Sequence, residues 1–164
     1  MYALIVPPMD RTLGSLSKIL TIAEAHCTAK NIKPEALLNF RMFPDMLPLS
    51  RQVQIATDMS KGGAARLAGV EVPKWDDNET TLDDLQARIN KALAYLAAFT
   101  PAQFEAAASR AIEVKTPSRS YQFNGQDFLS KWSLPNFYFH LTTAYNLLRH
   151  NGVPLGKMDF LAID

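Results

Sequence analysis

Apolar residues recur along this chain at helical spacing in four long stretches and alternate in only one short region. From Pro8 to Lys30, Leu13, Leu16, Ile19, Leu20, Ala23 and Cys27 keep the i, i+3, i+4 rhythm of one buried face. A second stretch, Pro48 to Ala68, sets Val53, Ala56, Met59, Ala64 and Leu67 on one side and stops at Gly69. A third starts behind Thr81, with Asp84 in its first turn as a capping partner, and carries a seam of Leu82, Leu85, Ile89, Ala92 and Leu96. The fourth opens at Pro135, where a first turn tolerates proline, and repeats Phe137, Leu141, Ala144, Tyr145 and Leu148. Arg149 and His150 suit the dipole of its last turn, and Asn151-Gly152 supplies the stop.

Between the third and fourth stretches, Thr100-Pro101 followed by Gln103 marks a shorter helix with a capping box. The period then changes: Ile112, Val114 and Thr116 alternate with charged residues, and Tyr121 and Phe123 alternate beyond Pro117-Ser118. That pattern predicts a small hairpin closed by Asn124-Gly125, after which Asp127 is the expected cap of the last helix system. Lys33 to Met46 is a proline-rich connector with a short helix over PEALLNF, and the tail after Gly152 is expected to pack back through Phe160 and Leu161. Helices joined by connections this long predict an all-α fold: a four-helix bundle with a crossover connection and a small β-hairpin before the last helix. The pair Gly62-Gly63 costs about 1 kcal/mol per residue relative to alanine in a helix. It points either to close helix–helix approach or a kink, or to backbone access for a ligand.

A length of 164 residues suits one domain spanning 1–164 without disulfide or structural metal. The 17 Lys+Arg and 16 Asp+Glu nearly balance and form no basic stripe, which argues against nucleic acid and anionic membrane as partners. A single cysteine, Cys27, fits a reducing, cytoplasmic setting; its place in an apolar seam makes it a core residue rather than a nucleophile. The start MYALIVPPMDRTL lacks the basic region of a signal peptide, and no apolar run is long enough to span a bilayer.

Candidate chemistry centres on one polar interruption of the last helix's buried side, His140, one turn after Asn136. A metal needs at least three convergent N, O or S ligands, whereas the chain has three histidines: His26, His140 and His150. His150 lies about 80° out of phase with His140 and is better explained as a dipole partner. Gln54 and Asp58, at i and i+4 on the second helix, point the same way, so His140 with Asp58 is the pair that would hold a metal. Tyr145 and Arg149, also at i and i+4, could present a hydroxyl and a guanidinium to an anionic small molecule. The expected ligand pocket therefore comprises Gln54, Asp58, Asn136, His140, Tyr145 and Arg149. Phe137, Tyr138 and Phe139 cannot all face one way on a helix, so one turns outward, which favours a homodimer. No phosphate-cradling glycine motif and no nucleophile elbow occurs.

The stretches RMFPDMLPLSRQVQIATDMSKGGAARLAG at 41–69, DNETTLDDLQARINKALAYL at 77–96 and LPNFYFHLTTAYNLLRHNGVPLGKMDFL at 134–161 resemble the DinB-like, or YfiT-like, superfamily of four-helix-bundle metalloenzymes. Within it they look like a narrower branch described as a domain of unknown function. The resemblance implies the bundle fold, dimerisation, and a divalent metal such as zinc or nickel on three histidines, with thiol-dependent transferase activity in some members. His140 matches the first of the last-helix histidine pair; Ala144 stands at the second position, and the second-helix ligand falls near Gln54. Two of three ligands are absent. The resulting expectation is a protein with no bound cofactor: a non-catalytic small-ligand-binding or stress-related protein with a degenerate metal site. A transferase with an altered ligand set and a structural dimerisation module are the alternatives.

Overall fold

A computed structural model describes residues 1–163. The chain is mostly helical: α1 (Tyr2–Lys30), the short α2 (Pro34–Leu38), α3 (Leu49–Ala68), α4 (Leu82–Ala97), α5 (Gly125–Asp127), α6 (Leu134–His150) and α7 (Lys157–Leu161). One two-stranded antiparallel sheet, β1 (Ala111–Lys115) with β2 (Ser120–Asn124), precedes the last long helix. Its register pairs Ile112 with Phe123 and Val114 with Tyr121, which sets the alternating apolar residues of the two strands on one face.

Of the long helices, α1 packs along α4, and α3 lies between α4 and α6. The faces that meet are the seams of the sequence: Leu13, Leu16, Ile19, Val53, Leu85, Ile89, Phe137, Leu141 and Leu148 are all completely buried. Helix α7 returns onto α1, where the Ser15 hydroxyl donates to the carbonyls of Asp159 and Phe160. The tail does pack back as expected. Thr81 and Asp84 exchange the reciprocal hydrogen bonds of a capping box, both 3.0 Å. Gly69, at φ +74°, closes α3 in the left-handed conformation that glycine adopts without cost.

Four local expectations need correction. Helix α1 begins at Tyr2 rather than Pro8 and runs through Pro7 and Pro8. The two missing amide donors are tolerated because Ile5, Val6 and Met9 bury the turns on either side. The segment after Thr100 is a 3₁₀ turn, Pro101–Phe104, although Gln103 does accept the Thr100 amide at 2.8 Å. Asn124, not Asp127, caps the last helical system: its Oδ1 accepts the Asp127 amide at 2.8 Å. Pro135 does not start that system either. The chain is already helical from Gly125 and passes through a π-helical stretch, Phe128–Ser133, into α6. A wider turn just ahead of Pro135 accommodates the residue that cannot donate to the preceding turn.

The two central glycines separate in role. Gly63 faces the Ser133 hydroxyl and Ile5, so its missing side chain permits the close approach of α3 to the start of α6. Gly62, also buried, lies instead against the side chains of Arg66 and Val72.

Candidate functional site

Two polar constellations occupy opposite sides of α3. The first is small. On α6, the half-buried His140 presents Nδ1 to Oε1 of Gln52 at 2.7 Å. Gln52 is almost fully buried, and its Nε2 donates to the Leu47 carbonyl at 3.0 Å. That second bond fixes the amide, so the atom facing His140 is an acceptor and Nδ1 carries the imidazole proton. The remaining lone pair is on Nε2. Burial pushes the His140 pKa below the ordinary imidazole value, which favours this neutral form.

Gln52 escaped the sequence reading, which placed the α3 position near Gln54. The signal was present in helical phase. Gln52 aligns with Ala56 and Gly63 on the face that meets α6, whereas Gln54 points about 200° away from it.

The second constellation is a charged network between α3, α4 and the loop at 70–80. Its centre is Arg88, whose side chain is 2% exposed. The guanidinium donates to Thr57 Oγ1 through Nε at 2.8 Å, to Asp58 at 2.9 Å and to Glu79 at 2.8 Å. It also reaches Asp77 at 3.0 Å and the Asp76 carbonyl at 2.9 Å. Asp58 is shared with Lys61 Nζ at 2.8 Å, and Gln54 donates to Glu79 at 2.7 Å. Burial lowers the charged form's stability for Arg88, but Glu79, Asp58 and Asp77 outweigh it and raise its pKa. Burial likewise opposes ionisation of Asp77, yet Arg51 and Arg88 hold its carboxyl below the usual range. Sequence could have flagged Arg88, because it sits within the apolar seam, three residues after Leu85 and four before Ala92.

The six residues expected to line one pocket are thus distributed. Gln54 and Asp58 join the Arg88 network, and His140 bonds Gln52. Asn136 donates to the Trp132 carbonyl of its own helix at 2.7 Å. Tyr145 packs edge-on against Phe160, 5.7 Å between ring centres, beside a small hollow shared with Thr142, Asn146 and Lys157. Arg149 is exposed, and the neighbouring His150 stacks on Phe40. Cys27 is buried, and burial together with Glu24 pushes its thiol pKa up, opposite to what a nucleophile requires. Phe139 is the aromatic of its trio that turns outward, at 58% exposure.

A metal implied by the superfamily resemblance does not fit this donor set. Among the described residues, no group of three or more His, Cys, Asp or Glu side chains is placed to hold an ion. His140 has an amide as its α3 neighbour, and both cations that bind Asp58 compete for its carboxylate.

Residues 1–161 match the family model described as Domain of unknown function (DUF1993). No match is found among curated proteins. Among solved structures, the fold is similar to the crystal structure of a DinB family member from Shewanella denitrificans. That protein is 43% identical, with a TM-score of 0.92 over 99% of this chain and 92% of the other. No helix among the described residues is long and apolar enough to cross a membrane.

Proposed function

This chain belongs to the DUF1993 family, and on that premise we propose that it is a non-catalytic, small-ligand-binding protein of the DinB-like type with a degenerate metal position at Gln52 and His140. Its four long helices are read as one bundle domain with a crossover connection, in keeping with α3 lying between α4 and α6. The lone buried cysteine supports a cytoplasmic setting.

The observation that carries the reading is the Gln52–His140 hydrogen bond. One imidazole lone pair beside a neutral amide is a weak monodentate site for zinc or nickel, well short of the three to four ligands that hold such ions. The transferase reading needs Asp58 to replace a histidine. It is disfavoured because the Asp58 carboxylate is bound by Lys61 and Arg88 on the α4 side of α3.

Elemental analysis and calorimetric titration of the tag-free protein with zinc, nickel and manganese test this. The expected result is substoichiometric metal after purification and no tight site. About one ion per chain, bound tightly and lost in His140→Ala, would overturn the reading and restore a metal-dependent enzyme.

A homodimer accompanies this reading, supported by the outward faces of Phe139 and Phe43, at 58% and 63% exposure. Sedimentation velocity is expected to show a dimer that Phe139→Asp converts to monomer. A wild-type monomer at micromolar concentration would refute it.

A further inference from the structure

A cleft of about 540 Å³ opens between the C-terminal half of α3 and the loop at 70–76, bounded by Asp58, Lys61, Arg66, Lys74, Trp75 and Asp76. Its volume lies within the range of small-molecule sites. The charges on its walls are not equivalent. Asp58 is already bound by Lys61 and Arg88, and Lys61 also lies over the Trp75 ring, 4.2 Å from its centre. Lys91 approaches the same ring at 4.7 Å, and Tyr95 meets it edge-on, so the indole is held in place.

Arg66 is different. Its guanidinium is half-buried, yet among the described residues no carboxylate lies within ion-pair distance of it. Its hydrogen bond is to the Gly62 carbonyl, 3.1 Å from Nη1. Burial without a counter-charge lowers its pKa, the opposite of Arg88 one helix away. The placement is built into the sequence: a Cβ on Gly62 would lie 2.6 Å from Arg66 Nη1. The glycine therefore allows the guanidinium to fold back over α3 at the cleft wall, with most of its five donors unused.

We infer that this cleft binds a small organic anion, its carboxylate or phosphate head on Arg66 with Lys74 at the rim, and its apolar or aromatic body against Trp75, Val72 and Pro73. Arg66 supplies the fork geometry that planar carboxylates and phosphate oxygens match. Asp76, which also lines the cleft, disfavours anions that do not seat their head on Arg66. The inference names a ligand class for the small-molecule role proposed above and rests on that reading.

Tryptophan fluorescence tests it. The chain has two tryptophans, so Trp132→Phe leaves Trp75 as the reporter. Phenyl phosphate, benzoate and the neutral benzyl alcohol are titrated in that background, with circular dichroism confirming the fold of each variant. A saturable response to either anion but not to the alcohol is expected, and the better anion identifies the head group. Arg66→Met should weaken it by about tenfold or more, the loss of a charge-assisted hydrogen bond. Gly62→Ala should weaken it as well while keeping every charge; should that variant not fold, Arg66→Lys serves, retaining the charge but not the fork.

No saturable response at millimolar anion, an equal response to the alcohol, or affinity unchanged in Arg66→Met would overturn the inference. These outcomes are separable from failure of the wider reading. A tight metal at His140 registers in the calorimetry on the α6 side of α3, whereas a silent cleft registers only in Trp75.

Discussion

Arg88→Ala is expected to destabilise the protein by about 3 kcal/mol, the lower end of the range for breaking a buried ion pair from one side. The magnitude follows from what the substitution strands. Glu79 is 10% exposed and would lose its guanidinium partner in a poorly hydrated place, while Asp58 and Asp77, at 31% and 33%, can recover water. Thr57 and the Asp76 carbonyl also lose their donor. Arg88→Lys should recover only part of the loss, because an ammonium cannot serve Thr57, Asp58 and Glu79 as one planar fork.

The effect has a pH signature with a definite sign. The folded-state pKa of Asp77 is depressed, so its contribution is fully present above the unfolded carboxylate value of about 4 and fades as pH falls through the lower folded value. Wild type should therefore lose stability faster than Arg88→Ala on acidification, and the gap between them should narrow. Urea unfolding at neutral pH and at acid pH measures both. An Arg88→Ala midpoint close to wild type at neutral pH would mean that the network is stabilising nothing, and a gap that widens in acid would remove Asp77 from the account.

That network also shows what the sequence could and could not convey. Long-range helical period was legible because each seam is a local repeat: Leu82, Leu85, Ile89, Ala92 and Leu96 are all buried as their spacing requires. The alternation at Ile112 and Val114 likewise identified the hairpin. Polar partners are another matter. Arg88 meets Asp58 thirty residues away and His140 meets Gln52 at a separation of eighty-eight, and no local pattern encodes those pairings. They depend on the rotation of each helix about its axis.

A phase difference of a few residues decides which side of α3 a side chain serves. Grouping Gln54 and Asp58 with His140 assumed one interior; the helix instead turns Gln52 toward α6 and Gln54 toward Glu79. Boundary errors had a second cause. Pro8 and Pro135 read as helix starts on local chemistry, but tertiary burial carries α1 past the first, and a π-helical stretch carries α6 past the second. The cap at Asn124 was hidden behind Asp127 because both residues are good N-caps and only the register of the hairpin selects between them.

Two glycine-to-alanine substitutions should move stability in opposite directions, and the larger is Gly125→Ala. Gly125 is buried where the hairpin hands over to the last helical system, against a second 3₁₀ turn, Ala107–Ser109. A Cβ there would overlap the Ala107 carbonyl oxygen, lie 2.8 Å from its carbon and approach Leu67 at 3.2 Å. The obstacle is mainly backbone, which cannot swing aside as a side-chain tip can. Relief requires the hairpin exit to separate from Ala107, and the cost expected is about 3 kcal/mol, the upper part of the overpacking range.

At Gly14, inside α1, nothing beyond its chain neighbours and the nearby backbone of its own helix lies within 4 Å of the equivalent position. Gly14→Ala should therefore stabilise by up to about 1 kcal/mol, through helix propensity and a less flexible unfolded chain. Thermal melts of the two variants beside wild type are the check, with Gly14→Ala raising the midpoint and Gly125→Ala lowering it. A Gly125→Ala midpoint equal to wild type would show that the contact with Ala107 is loose enough to admit a methyl group. The junction of hairpin and helix would then contribute little to fixing α6, and with it His140, against α3.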